Sequence, residues 1–364
     1  FEGDDAVNSF QTTWATLQPF NSGGKKKLAR YRWNWQKRAS QISASDYTHV
    51  FEMVDAANAA AAAYTASMEA RIDVEEWLRI FAVEHIVGNW DSYGNNNGQN
   101  MFAYKPERGL WQLLIWDLDI VLGGGSDAAT TSLFKATDPT MTRMIAHPPF
   151  RRAYWRALQD AVNGPLQGPA LNALLDAKYA AFRSNGVSAT SPTSVKSYVT
   201  SRRNYIIQQL KTVAADFAVT SQKGDDFSTD QNSITLTGTA PVEVASLQVN
   251  GVEYPATWTT VTNWSLTLPL RAGFNVLSLE GHDRAGRLLK NSMSSINVTV
   301  TRAETAPPDH VVINEWMASN TRSLADPLTG QFSDWFELYN PTPNSIDLSG
   351  YALSDNATNS SKFL

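Results

Sequence analysis

Two short stretches concentrate the chemistry that this chain could do. The first, Asn89-Trp90-Asp91-Ser92-Tyr93-Gly94-Asn95-Asn96-Asn97, offers one carboxylate and then several carboxamides within a few residues. The second, Trp116-Asp117-Leu118-Asp119, places two carboxylates at the end of an apolar run. Carboxylate and carboxamide oxygens are hard donors that suit Mg2+, Mn2+ or Ca2+. A carboxylate left off the metal could accept a proton from a substrate hydroxyl. An Asp base, an Asn a few residues on and a further Asp after a hairpin is how a kinase arranges phosphoryl transfer. Counting five residues from Asp91 lands on Asn96. Taken on their residues alone, the stretches also allow plainer readings. Asp91 could be an ordinary turn residue, and the Asn run could simply tolerate tight turns. Asp-Leu-Asp could alternatively be the metal motif of a sugar-nucleotide transferase, a weaker reading than an ordinary turn.

The elements that must hold these residues are legible in the pattern. Asp73 with Glu76 three residues on forms a capping box with Asp in the cap. The helix it opens, residues 74–87, carries Trp77, Leu78, Ile80, Phe81, Val83 and Ile86 on nearly all faces, which predicts a buried helix. It ends at Gly88, so Asp91 leaves a rigid support. Met101-Phe102-Ala103-Tyr104 and residues 110–116 read as a hairpin about the turn Pro106-Glu107-Arg108-Gly109, delivering Asp117 and Asp119. Asp46 caps an earlier helix, and further helices are expected at about 140–162, 166–185 and 192–215. In the last of these, Arg202-Arg203 is expected on a solvated face. His85 reads as a packed, hydrogen-bonded core residue, and His49, His147, His282 and His310 do not cluster.

Composition narrows the functions. The 364 residues include no Cys, so any metal must sit on oxygen or imidazole. No run of apolar residues is long enough to span a membrane. Through Asp216, 22 Lys/Arg stand against 20 Asp/Glu, a balance of +2; the remainder has 8 against 15, or −7. Neither part is basic enough for a nucleic-acid partner. The chain opens on Phe1-Glu2-Gly3 and closes on Lys362-Phe363-Leu364, and is expected to be a piece of something longer.

At about residue 217 the character changes from helical spacing to alternation. Segments at 233–237, 243–249, 264–268, 275–279 and 296–300 read as short strands, with Asn250-Gly251 as a hairpin turn. They predict an all-β sandwich over 217–303, in which Trp258 and Trp264 are core or edge aromatics. Ala306-Pro307-Pro308 marks a linker at 304–309, and a further β module occupies 310–364.

Asn89-Trp90-Asp91-Ser92-Tyr93, the Asn-rich loop, the hairpin and Ile115-Trp116-Asp117-Leu118-Asp119 together resemble the spore-coat-protein-H-like (CotH) kinase family. The resemblance covers residues 1–216. It implies an atypical kinase-like fold, mainly helical α+β, of which the C-lobe part is present and the N-terminal lobe lies upstream. It implies ATP with Mg2+ or Mn2+ as cofactors and a secreted or cell-surface protein as substrate. By position, Asp91 looks like the catalytic base, Asn96 and Asp117 like metal ligands, and Asp119 like their support. The Lys and Glu that would hold ATP are expected upstream of Phe1, so this piece is expected to bind ATP poorly. Ser22-Gly23-Gly24-Lys25-Lys26-Lys27 lacks a phosphate-loop pattern and reads as a solvated basic loop.

The 217–303 sandwich looks like the immunoglobulin-like or fibronectin-like spacers of bacterial surface proteins. Val312-Ile313-Asn314-Glu315-Trp316-Met317, Asp334-Trp335-Phe336-Glu337-Leu338-Tyr339 and Ile346-Asp347-Leu348-Ser349-Gly350-Tyr351 resemble the lamin-tail domain, which implies a second immunoglobulin-type sandwich. Glu315, Asp334 and Glu337 are expected to be strand-end acids satisfied by backbone N–H groups. The expectation is an exported kinase-like enzyme with C-terminal β modules. Its rival is a catalytically inactive scaffold that serves adhesion or surface assembly.

Overall fold

The computed structural model describes residues 14–38, 42–302 and 311–348. Phe1-Glu2-Gly3, the linker at Ala306-Pro307-Pro308, Ser349-Gly350-Tyr351 and Lys362-Phe363-Leu364 lie outside the described residues. The chain divides into two compact units at Thr301/Arg302.

The first unit opens with a two-strand ribbon, β1 (Asn21–Ser22) and β2 (Lys25–Lys26). Helices α1 (Leu28–Asn34), α2 (Thr48–Ala57), α3 (Tyr64–Glu69) and α4 (Val74–Val87) follow. A hairpin of β3 (Met101–Tyr104) and β4 (Gln112–Ile115) comes next. Four more helices complete the helical part: α5 (Pro139–Ala146), α6 (Pro148–Asn163), α7 (Gly168–Ser184) and α8 (Thr193–Leu210).

Helix α4 is the axis of this part. Asp73 caps it by accepting the Glu76 N–H at 3.1 Å. The box is one-sided, because the Glu76 carboxylate turns away to accept the Leu113 N–H of β4 at 3.1 Å. Trp77 donates its indole N–H to Trp111 O at 2.9 Å, so the start of α4 is sewn to the hairpin. Trp77, Leu78 and Phe81 are fully buried, each removing apolar surface worth roughly 1.5–3 kcal/mol from water. The helix stops at Gly88, whose φ of +75° suits glycine and whose added Cβ would lie 2.3 Å from the Tyr198 hydroxyl.

Several sequence expectations are corrected here. The helix expected at 140–162 is two, α5 and α6, broken at His147 because Pro148-Pro149 disfavours helical backbone before it. Asp46 takes the Thr48 N–H at 3.0 Å, yet α2 starts one residue past a normal cap, with Tyr47 between. Arg202 is not on a solvated face. It is 1% exposed and donates to His85 O (2.6 Å), Thr131 O (2.6 Å) and Ala129 O (3.0 Å). Arg203 likewise reaches Val162 O at 3.1 Å. Lys26 is ion-paired with Asp55 at 2.6 Å rather than freely solvated.

The sandwich follows in the same unit. Its strands are β5 (Ala218–Val219), β6 (Phe227–Thr229), β7 (Ser233–Thr239), β8 (Ser246–Val249) and β9 (Val252–Tyr254). Strands β10 (Thr257–Trp258), β11 (Asn263–Pro269), β12 (Gly273–His282) and β13 (Leu288–Val300) complete it. They form sheets in the orders β10-β11-β7-β5 and β6-β13-β12-β8-β9, with β6 parallel to β13. Leu236, Leu247, Leu279, Val298 and Trp264 fill the space between them. Asn250 and Gly251, at φ of 52° and 81°, turn β8 into β9.

The strand expected at 243–249 begins only at Ser246. The preceding turn serves another purpose, because its carbonyls, together with that of Val261, receive Arg152 of α6. That side chain, 1% exposed, donates to Val261 O (2.5 Å), Val244 O (2.7 Å), Ala240 O (3.3 Å) and Pro241 O. Its guanidinium lies 3.5 Å from the Trp258 ring centre. Beside it, Glu75 pairs with Arg156 at 2.6 Å and with Arg284 at 3.7 Å. The helical part and the sandwich are therefore joined through a buried cation whose two terminal nitrogens each donate twice.

In the second unit, β14 (Val312–Met317) and β15 (Trp335–Tyr339) pair antiparallel, with an irregularity between Ile313 and Glu315. Asp334 accepts the Asn320 N–H at 2.7 Å, as expected for a strand-end acid, and this holds its carboxyl below the usual range. Glu337 instead accepts from the Asn314 side chain at 2.5 Å.

Candidate functional site

Asp91 lies four residues past Val87, the last of α4, and is half-buried. Its Oδ1 accepts from the carboxamides of Asn97 and Gln99. Asn100 donates to Oδ2 at 3.2 Å and to the Asp91 main-chain oxygen at 2.8 Å. Three neutral donors around one carboxylate hold it in a single orientation. Oδ1 carries two bonds and Oδ2 one, so Oδ2 is the oxygen with capacity left for an incoming proton.

The loop that supplies these donors is tightly constrained. Gly98 passes so close to the chain at Ala15 that an added Cβ would sit 2.3 Å from its carbonyl oxygen, and Ala15 N–H donates to Gly98 O at 2.6 Å. Asn100 adopts a left-handed φ of 56°, uncommon for a residue with a side chain but tolerated by Asn.

Asp117 and Asp119 follow β4. Both are exposed, and neither carboxylate has a hydrogen-bond or ion-pair partner among the described residues. Asp117 also has a left-handed φ of 58°, as does Leu122 at 54°. Such backbone costs of order 1–3 kcal/mol and gathers at functional sites.

One contact joins the two stretches and three more tie the residues that flank them. Asn89, fully buried, donates from its side chain to Asp117 O at 3.4 Å. Leu122 N–H reaches Val87 O at 2.8 Å, and Asp127 N–H reaches Gly88 O at 2.9 Å. The Trp90 indole donates to Gly125 O at 3.0 Å.

Asn96 faces elsewhere. Its side chain contacts Asn97 Oδ1 at 3.4 Å, and it lines a cavity of about 260 Å³ with Thr16, Gln18, Arg30, Asn95 and Asp138. Asp138 is already engaged, accepting from Thr16 Oγ1 at 2.5 Å and from Thr140 N–H at 2.8 Å. Among the described residues no three His, Asp or Glu side chains gather as a metal-binding group, so Asp91, Asp117 and Asp119 do not form one. The oxygens that fit a divalent cation are those of Asp117 and Asp119, unengaged and of hard-donor type.

Sequence reasoning did not single out Asn97, Gln99, Asn100 or Glu84. The donors to Asp91 stand six, eight and nine residues after it, where a motif counted at five passes them by. Glu84 is 1% exposed on α4, and burial raises its carboxyl to about 7 despite a hydrogen bond with Asn89. His85 packs as expected, its ring nitrogens 2.7 Å from Phe81 O and 2.8 Å from Lys135 O, and burial lowers its pKa.

The hairpin presents one apolar face outward. Phe102, Tyr104, Leu114 and Trp116 are 39–59% exposed, and the Phe102 and Trp116 rings meet edge to face at 5.3 Å.

The profile of a family described as CotH kinase protein matches residues 19–216. No curated protein matches the chain. Among solved structures, the fibronectin(III)-like modules of CbhA from Clostridium thermocellum are similar at 15% identity and a TM-score of 0.19, covering 24% of this chain and 99% of theirs. SGBP-B of the Bacteroides ovatus mixed-linkage glucan utilization locus, solved with a mixed-linkage heptasaccharide, is similar at 19% identity and a TM-score of 0.17. That similarity covers 29% of this chain and 27% of that one.

Proposed function

Because the chain belongs to the CotH kinase protein family, we propose that it is a metal-dependent phosphotransferase acting from ATP on a hydroxyl of a protein substrate. The observation that carries this reading is the pairing of a rigidly held carboxylate, Asp91, with two unengaged ones, Asp117 and Asp119, tied to it through Asn89. In this reading Asp91 accepts the proton of the substrate hydroxyl at Oδ2. The hydroxyl oxygen bonds to the terminal phosphorus of ATP, and the bond from that phosphorus to the bridging oxygen breaks. The carboxamides of Asn97, Gln99 and Asn100 keep Asp91 from rotating away from the proton it must take. Asp117 and Asp119 would hold the divalent cation, which would neutralise charge on the phosphate oxygens; Asn96, expected from its spacing to share it, lines the cavity beside Asp138 instead. The outward aromatic face of β3 and β4 adjoins Asp117 and suits a nucleotide base, which stacks on apolar rings.

The family resemblance supports a substrate and an enzyme outside the cell or at its surface. No described helix is long and apolar enough to cross a membrane. The test is transfer of label from γ-labelled ATP to acceptor protein. Asp91→Asn keeps the side chain's shape and the acceptor at Oδ1 but gives up the acceptor facing Asn100 and removes the base, and should lower transfer by about 100-fold or more. Equal transfer by wild type and Asp91→Asn would refute the assignment, and no transfer by wild type would favour an inactive scaffold.

A further inference from the structure

We propose that Asn89, backed by Glu84, is a positioning residue that clasps the Asp117 strand end to the Asp91 loop and so sets the spacing of the two carboxylates. The proposal deepens the phosphotransfer reading and rests on it for its catalytic consequence. Its geometry stands separately. Asn89 is 0% exposed and Glu84 1% exposed, side by side under the site.

Three polar groups of Asn89 face one half of the site or its support. Its N–H donates to Glu84 O at 2.9 Å, fixing the residue to the end of α4. Its main-chain oxygen accepts from Ser92 Oγ at 2.9 Å and from Asn95 Nδ2 at 3.0 Å, which shapes the loop bearing Asp91. Its side-chain Nδ2 crosses to Asp117 O at 3.4 Å. Asp117 needs such a hold because its left-handed backbone is costly for a non-glycine residue.

The pair also shows an imbalance of donors. Asn89 Oδ1 and Glu84 Oε2 are both buried with no hydrogen-bond partner among the described residues. Leaving two buried acceptors without donors costs about 1–3 kcal/mol each. A proton on the Glu84 carboxyl removes a buried charge and turns Oε2 from an unmet acceptor into a donor. Burial favours this neutral acid by raising the carboxyl to about 7. Glu84 then acts through Asn89 and touches no reacting atom.

Hydrogen exchange of the full chain tests the clasp without requiring activity. Trp116 N–H, bonded to Asn100 O, and Leu122 N–H, bonded to Val87 O, report on the Asp117 segment; Tyr93 N–H, bonded to Gln99 O, reports on the loop. In Asn89→Ala these three amides should exchange at least about tenfold faster, while amides of α6 and of β7 and β12 stay within about twofold. Glu84→Gln, which supplies an amide donor in place of the acid proton, should keep wild-type rates. Glu84→Leu should resemble Asn89→Ala. Unchanged rates at Trp116 and Leu122, or equal acceleration throughout the unit, would overturn the clasp.

A transfer assay tests the catalytic consequence. Asn89→Ala should lower kcat at least about tenfold with KM for the protein substrate within about threefold, as expected for lost alignment. Wild-type kcat in Asn89→Ala would overturn the positioning role. Absence of transfer by wild type would instead count against the phosphotransfer reading, and the exchange result would still decide the clasp.

Discussion

At the scale of residues, the site depends on how few groups hold each carboxylate. Asp91 is fixed by three carboxamides, whereas Asp117 and Asp119 are exposed and unengaged. Beneath them lies Glu84, whose carboxyl is raised to about 7 from an ordinary 4.5 by burial. A raised carboxyl pKa means the folded chain holds a proton that the unfolded chain has released. Its contribution to stability is therefore full below about pH 4.5, is lost as pH rises toward 7, and stays lost above that. Glu84→Gln should match wild type in acid and exceed it in stability at pH 8 by on the order of 3 kcal/mol, at roughly 1.4 kcal/mol per pKa unit. Denaturant unfolding of both chains at pH 5 and pH 8 would show this as a gap that widens with pH; a gap that narrows would contradict the protonated acid. The order of motifs in the sequence identified Asp91 and the Asp117-Leu118-Asp119 stretch as a pair. It could not show which carboxamide reaches Asp91, because in a loop with Gly94, Gly98 and a left-handed Asn100 the facing residue depends on backbone turns that spacing does not encode.

At the scale of elements, α4 and the β3–β4 hairpin form the platform, and both were readable from pattern. Their boundaries follow from Asp73 at one end, Gly88 at the other, and alternating apolar residues in the hairpin. What the pattern could not reveal was the use of long basic side chains inside. Arg202 on α8 looks like a surface residue by charge alone, yet it donates to the carbonyls of His85, Ala129 and Thr131 and holds the end of α4 against the loop before α5. Removing it should be costly, since three buried carbonyls lose their donor. Arg202→Met, similar in length, should destabilise the chain by about 3 kcal/mol or more. A shift under about 1 kcal/mol in denaturant unfolding would mean that these carbonyls find other partners. The break between α5 and α6 has a simpler cause in Pro148-Pro149, which a period-based reading passes over because the apolar spacing continues across it.

At the scale of the whole molecule, the change from helices to strands near residue 217 is a change of architecture within one compact unit that runs to Thr301. Arg152 and the Glu75 pairs with Arg156 and Arg284 join the two parts. The Arg152 part of this join was invisible in sequence because its acceptors are main-chain oxygens of two loops, at 240–244 and at Val261. Brief trypsin treatment should therefore cut first at Arg302, between the compact units, and leave residues 205–230 intact; an early cut at Lys211 or Lys223 would contradict a joined helical part and sandwich. The central claim for the molecule is that Asp117 serves a metal-dependent phosphoryl transfer. The most direct test compares wild type with Asp117→Ala in label transfer from γ-labelled ATP to protein, with Mg2+ or Mn2+ and then with the metal chelated. The account predicts transfer by wild type only with metal, and a loss of about 100-fold or more in Asp117→Ala, the scale of one lost transition-state contact. Transfer that survives chelation, or that is equal in the two proteins, would contradict it.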